Sequence, residues 1–190
     1  MKKLVLLLSV IALLIIATGA VSAAKPAPDT FTITGYTTSY EYGTLPNGRT
    51  WFHVLAQSSG ATLEDDAFCT ALFGIPCQAT CQTFLAKDCG VTGYFTGQFT
   101  FEEWGEVDLN PVTGAGSGKG KNNGVVTITA PDGTAVVQFN GKTDSQSVWG
   151  NFKIEKKEGT GAYADLKGNG DYTGNAGLVF SVTFNGKLKD

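Results

Sequence analysis

Apolar and polar residues alternate with a period of two over most of the chain. In Gly177–Gly186 (GLVFSVTFNG), Leu178, Phe180, Val182 and Phe184 share one face and Ser181 and Thr183 the other. The run VTGYFTGQFTF puts Val91, Gly93, Phe95, Gly97, Phe99 and Phe101 on one side and Thr92, Tyr94, Thr96, Gln98 and Thr100 on the opposite side. VWGNFKI sets Val148, Gly150, Phe152 and Ile154 against Trp149, Asn151 and Lys153, and GVVTITA, TAVVQFNG and FTITGY follow the same rule. Such alternation predicts half-buried β-strands. RTWFHVLAQ is apolar on both faces, as a strand covered on both sides would be. Asn-Gly at 47–48, 123–124, 140–141, 169–170 and 185–186, with Asp132-Gly133, reads as a series of tight hairpin turns, because both central residues of such turns need positive φ. Links this short exclude helical crossovers. The pattern therefore predicts an all-β fold: a small closed antiparallel β-barrel of about eight strands in up-and-down order.

One segment departs from the period of two. ATLEDDAFCTALFGIPCQATCQTFLAKDCG, within 61–90, has helical spacing, a start resembling a capping box at Thr62 and Asp65, and a break at Gly74-Ile75-Pro76. It predicts two short helices inserted between strands, as a cap on one end of the barrel or a stiffened excursion. All four cysteines fall here, Cys69, Cys77, Cys81 and Cys89, spaced C-x7-C-x3-C-x7-C. An even count in an exported chain reads as two disulfides of open connectivity. The tight CxxC pairs of a zinc or iron–sulfur site are missing.

The chain opens Met1-Lys2-Lys3, runs apolar from Leu4 to Ala17 and continues through small residues to Ala24. This is the pattern of a secretory leader cleaved after Ala23 or Ala24, with an uncleaved anchor as the alternative. The expected organisation is a signal peptide over 1–24, a linker over 25–30 and one domain over 31–190, in a secreted or periplasmic setting. Losing Lys2 and Lys3 takes the formal net charge from −3 to −5, with 12 basic residues against 17 acidic ones. An acidic chain without a basic cluster is not built for nucleic acid. After cleavage, no further segment has the length and apolarity of a membrane span.

The glycines need an account of their own. GTGAYADLKGNGDYTGN, Gly159–Asn175, holds five glycines in seventeen residues, yet Tyr163, Leu166 and Tyr172 sit between them. Glycine within a strand marks a bend or a close approach. Small and large residues in alternation let side chains interdigitate inside a narrow closed sheet. Glycine, threonine, glycine, aromatic, alanine, aliphatic, glycine and glycine at Gly159, Thr160, Gly161, Tyr163, Ala164, Leu166, Gly168 and Gly170 resemble a stretch found in the allene oxide cyclase barrel-like and dirigent-like proteins. The resemblance spans about residues 91–188 and implies an eight-stranded antiparallel barrel with an inward cavity. It carries no catalytic residue onto a position of this chain.

Candidate chemistry is sparse. GAGSGKGKNNG fails the phosphate-loop pattern, since Gly120 follows Lys119 and position 113 is Thr. His53 is the only histidine, so no histidine metal site or Ser-His-Asp set can be assembled without it. It is a candidate general base if its face of the strand points inward, or a structural histidine otherwise. Glu102, Glu103, Glu106 and Asp108 cluster around Trp104, as a carboxylate site or as a solvated strand end. Trp51, Phe95, Phe99, Phe101, Phe152, Phe180 and Phe184 are the candidate lining of an apolar pocket. Three readings follow: a non-enzymatic binder of a small apolar or aromatic ligand, a cyclase- or isomerase-like enzyme steered by His53, Glu102 or Glu103, and a structural or adhesion module of the envelope. No cofactor or metal is implied.

Overall fold

The computed structural model describes residues 28–58, 85, 87–110, 113, 115–144, 146–177 and 179–190. Ten strands form one antiparallel sheet: β1 Asp29–Thr44, β2 Thr50–Gln57, β3 Gly90–Gly93, β4 Gln98–Val107, β5 Gly120–Ala130, β6 Gly133–Thr143, β7 Ser147–Ile154, β8 Thr160–Gly161, β9 Lys167–Asn175 and β10 Val179–Lys189. The hydrogen-bonded order β10-β9-β7-β6-β5-β4-β2-β1 closes on itself because β1 also pairs with β10, from Asp29↔Gly186 to Tyr36↔Val179. Eight strands thus form a ring in which each neighbours the next along the chain. The short β3 and β8 are side pairings on β1 and β6. The expected leader over 1–24 and most of the expected helical insertion over 61–90 lie outside the described residues. Of the four cysteines only Cys89 is described, and it has no free thiol. With Leu85 it packs against Tyr36 and Val179, a small cluster separate from the ring interior.

Alternation fixes which side of each strand faces in. Phe31 and Ile33 on β1, Phe99 and Phe101 on β4, Val126 and Ile128 on β5, Val137 and Phe139 on β6, Phe152 and Ile154 on β7, and Phe180, Val182 and Phe184 on β10 are all buried in one core. Its aromatic rings touch in a continuous series. Tyr163 meets Phe95 at 5.3 Å, Phe95 meets Phe31 at 4.9 Å, and Phe31 stacks on Phe184 at 4.7 Å. The series continues through Tyr172, Phe139, Phe101 and Phe180 to Phe99, at centroid separations of 5.2–6.1 Å. These are favourable aromatic separations. The six phenylalanines expected to line a pocket therefore pack largely on one another.

Four of the five Asn-Gly pairs correct the expectation of turns. Only Asn47-Gly48 lies in a link, between β1 and β2, with Gly48 at φ 82°. Asn123-Gly124, Asn140-Gly141, Asn169-Gly170 and Asn185-Gly186 lie inside β5, β6, β9 and β10. The true hairpin turn among the six pairs besides 47–48 is Asp132-Gly133, between β5 and β6. The reason is the interior. A Cβ on Gly124 would come within 2.5 Å of the Phe139 ring, and one on Gly105 within 2.3 Å of Phe52. Gly124, Gly141 and Gly186 face in where Phe139, Tyr172 and Phe152 cross them, Gly170 faces the β10 backbone alone, and the asparagine of each pair faces out.

The run expected as one strand over 91–101 is broken by a turn at Tyr94–Thr96 between β3 and β4. Gly93 and Gly97 flank it with φ of 106° and 143°, which other residues rarely adopt. Phe95 nevertheless reaches the interior and is fully buried. The Gly159–Leu166 stretch likewise contributes only the two-residue β8, then turns so that Leu166 enters the core and Tyr163 closes over Phe95.

One register row organises the inner wall. Around the ring, Phe52 pairs with Gly105, Gly105 with Asn122, Asn122 with Gly141, Gly141 with Gly150, Gly150 with Tyr172, and Tyr172 with Phe184. Two consecutive glycines separate Tyr172 from Asn122, and the tyrosine side chain lies across them. Its hydroxyl is 2.5 Å from where a Gly141 Cβ would stand, and Trp149 O is 2.1 Å from that point. Gly141→Ala is accordingly expected to destabilise the fold by about 1–3 kcal/mol through overpacking. Chemical denaturation checks this, and an unchanged midpoint would mean that Tyr172 does not lie there.

Candidate functional site

The acidic cluster around Trp104 is divided by the strand period. On β4, Phe99, Phe101, Glu103 and Val107 are buried, while Glu102, Trp104 and Glu106 face out and Asp108 lies just past the strand. Glu103 enters the ring with its residue only 9% exposed. Asn122 Nδ2 donates to Glu103 Oε1 at 2.5 Å, and the Tyr172 hydroxyl donates to Asn122 Oδ1 at 3.0 Å. Three strands, β4, β5 and β9, therefore supply a linked carboxylate, amide and phenol inside an aromatic interior. Such a network is costly to bury unless its members satisfy one another.

Electrostatics at this group follow from burial. Desolvation pushes the Glu103 carboxyl up to about 7, against the opposing pull of the Asn122 hydrogen bond. The Tyr172 phenol is held well above its ordinary value by burial first and by the Glu103 charge second. Tyr40 is raised by the same two causes in the same order. The dependence of Tyr40 and Tyr172 on Glu103 places all three in one electrostatic neighbourhood.

Beside this group the inner wall turns aromatic and meets the rim. Tyr40 and Tyr42 lie on the face of β1 that pairs with Val54 and Phe52 of β2. Tyr40 stacks on Phe52 at 6.5 Å and approaches Tyr42 at 5.8 Å. Tyr42 is 49% exposed while Phe52 is buried, so this row of rings runs from solvent to the core.

The remaining candidates lie on the outer wall. On β2 the buried positions are Thr50, Phe52 and Ala56, with Val54 packed against the core, so Trp51, His53 and Leu55 point out. The inward placement of Trp51 is thereby corrected, and of the two alternatives for His53 the inward one is not met: the strand is apolar on both faces, and its outer face carries the indole. His53 Nε2 lies 3.0 Å from Glu102 Oε1, its Nδ1 3.9 Å from Glu41 Oε2, and its ring stacks on Trp104 at 5.2 Å and 8°. His53 and Glu102 are therefore together, but on the opposite side of the wall from Glu103. Trp51 is likewise separated from Phe95, Phe99, Phe101, Phe152, Phe180 and Phe184.

Asn122, Tyr172 and Tyr40 were not singled out from sequence. Tyr172 stood in the glycine-rich stretch that was, but its partner Asn122 is 50 residues away. No cluster of histidine, cysteine and acidic residues fit to hold a metal occurs among the described residues. Among those residues no helix is long and apolar enough to cross a membrane, which says nothing of strands. No family model and no curated protein matches the chain.

Proposed function

We propose that the chain is an exported β-barrel of the allene oxide cyclase barrel-like class that binds one small, mostly apolar or aromatic molecule. The molecule enters over Tyr42 and Tyr40 and presents a single polar group to Glu103, Asn122 and Tyr172. Phe52, Phe101 and Phe139 form its apolar surroundings, and the deeper phenylalanines serve as the floor. The observation that carries this reading is the buried Glu103 carboxyl. An interior needing only packing is better served by an apolar side chain at that position, and a few convergent polar groups in an apolar setting are the usual make-up of a small-molecule site.

Incubating the purified protein with a cell lipid extract, then analysing what co-purifies by mass spectrometry, tests the proposal. A stoichiometric apolar molecule is expected, reduced at least tenfold in the Glu103→Gln, Tyr172→Phe double variant. Protein that emerges empty at high concentration would overturn the reading and leave the ring as a structural module.

A second reading rests on the Glu103 value itself. A carboxyl titrating near 7 suits proton transfer at neutral pH, and an oriented apolar substrate can be cyclised or isomerised with little further machinery. In that case Glu103→Gln would still bind the extracted molecule but leave it chemically unchanged, while the wild type would convert it.

A further inference from the structure

The outer wall carries a second register row, offset by one residue from the glycine row inside. Trp104 on β4 pairs with Asn123 on β5, Asn123 with Asn140 on β6, Asn140 with Asn151 on β7, and Asn151 with Asp171 on β9. All five face solvent. Asparagine and aspartate are depleted in strands, so four such side chains in line across four adjacent strands run against local preference. Their glycine neighbours account for the backbone at these sites, but not for what borders the row.

The border consists of indoles. The chain has three tryptophans, and all three stand on this wall with 38–40% of their surface exposed, although tryptophan is ordinarily well buried. Trp104 heads the row. Trp51 lies beside it on β2, opposite Glu106. Trp149 lies on β7 two residues from Asn151, on the same face. His53 stacks against Trp104 and is held by Glu102, which fixes the indole on one side and leaves Asn123 as its cross-strand neighbour on the other.

From this arrangement we infer that the outer wall from β2 to β9 binds a neutral carbohydrate chain. Indole faces stack on the apolar face of a sugar ring. Amide side chains both donate to and accept from hydroxyls, a carboxylate accepts from them, and the row presents these groups at the strand spacing of about 4.8 Å. Charge favours an uncharged polymer. Asp171 is the one charged member of the row and already accepts from Asn151 Nδ2 at 2.6 Å. In the neighbouring row, Glu106 is offset by Arg49 at 3.5 Å and Lys121 at 3.4 Å. A wall with no dominant sign has little to attract a nucleic acid or an anionic lipid surface.

Native gel electrophoresis of the full chain through gels containing soluble neutral polysaccharides (β-glucan, xyloglucan, galactomannan and dextran) tests this. At least one gel is expected to retard the protein. Trp104→Ala should abolish the retardation, and Asn140→Ala with Asn151→Ala should weaken it at least tenfold. Glu103→Gln, inside the ring, should leave it unchanged, which separates this site from the interior one. All these outer positions are exposed, and circular dichroism of each variant confirms that the fold is kept. Migration unaltered in all four gels would overturn the inference. So would retardation that survives Trp104→Ala, or Trp104-dependent sedimentation with phosphatidylcholine vesicles that the asparagine pair does not affect.

Discussion

Glu103→Gln is expected to make the protein more stable at pH 8, by about 3 kcal/mol, while changing little at pH 5. The Glu103 carboxyl has a folded value of about 7 against a reference of 4.5. Between these values the folded chain holds a proton that the unfolded chain has released, so stability falls as pH rises through the window. The full displacement corresponds to about 3 kcal/mol. Glutamine mimics the protonated acid, keeps an oxygen for the Asn122 amide, and has nothing to ionise. Urea unfolding of both proteins at pH 5 and pH 8 reads the effect as a difference of slopes, which cancels the contributions of other titrating groups. Equal pH dependence in the two proteins would mean that Glu103 is solvated, and the interior polar network would lose its meaning.

The largest loss is expected from Phe31→Ala. Phe31 is 1% exposed and touches three rings, Phe184 at 4.7 Å, Phe95 at 4.9 Å and Phe152 at 5.8 Å. Truncating a phenylalanine so enclosed removes its transfer free energy and leaves a cavity, costing about 3–5 kcal/mol. That is a large part of the roughly 5–15 kcal/mol that holds a domain together, so the variant should unfold at a much lower urea concentration. A cost below about 1 kcal/mol would show that the rings surround empty space that collapses or hydrates when one is removed. The measurement thus also decides how much of the interior is available to a ligand.

The strands were legible because their pattern is local. Phe180, Val182 and Phe184 declare an inward face without reference to any other strand, and the observed ring buries all three. The Asn-Gly pairs misled for a related reason. A dipeptide that suits a turn also suits a strand with a ring crossing its inner side, and nothing within ten residues of Gly141 shows that Tyr172 lies over it. Trp51 and His53 were ambiguous because Phe52 and Val54 compete for the same inward side. Glu103 was visible as one of several acidic residues, but its separation from Glu102 depends on β4 holding the phase set by Phe99 and Phe101. Asn122 stayed hidden because its partners, Glu103 and Tyr172, come from other strands whose register no periodicity reveals.

The way β1 shares its edge has a consequence for how this architecture can diversify. One side of β1 pairs with β2 as far as Tyr36↔Gln57 and then with β3 from Thr34↔Gly90. The chain therefore departs from the wall and rejoins it at points two residues apart along one strand, roughly 7 Å. Everything between those points is, topologically, a detour with a common doorway. Such a detour can be lengthened, shortened or exchanged for another without altering how the strands on either side of it are matched.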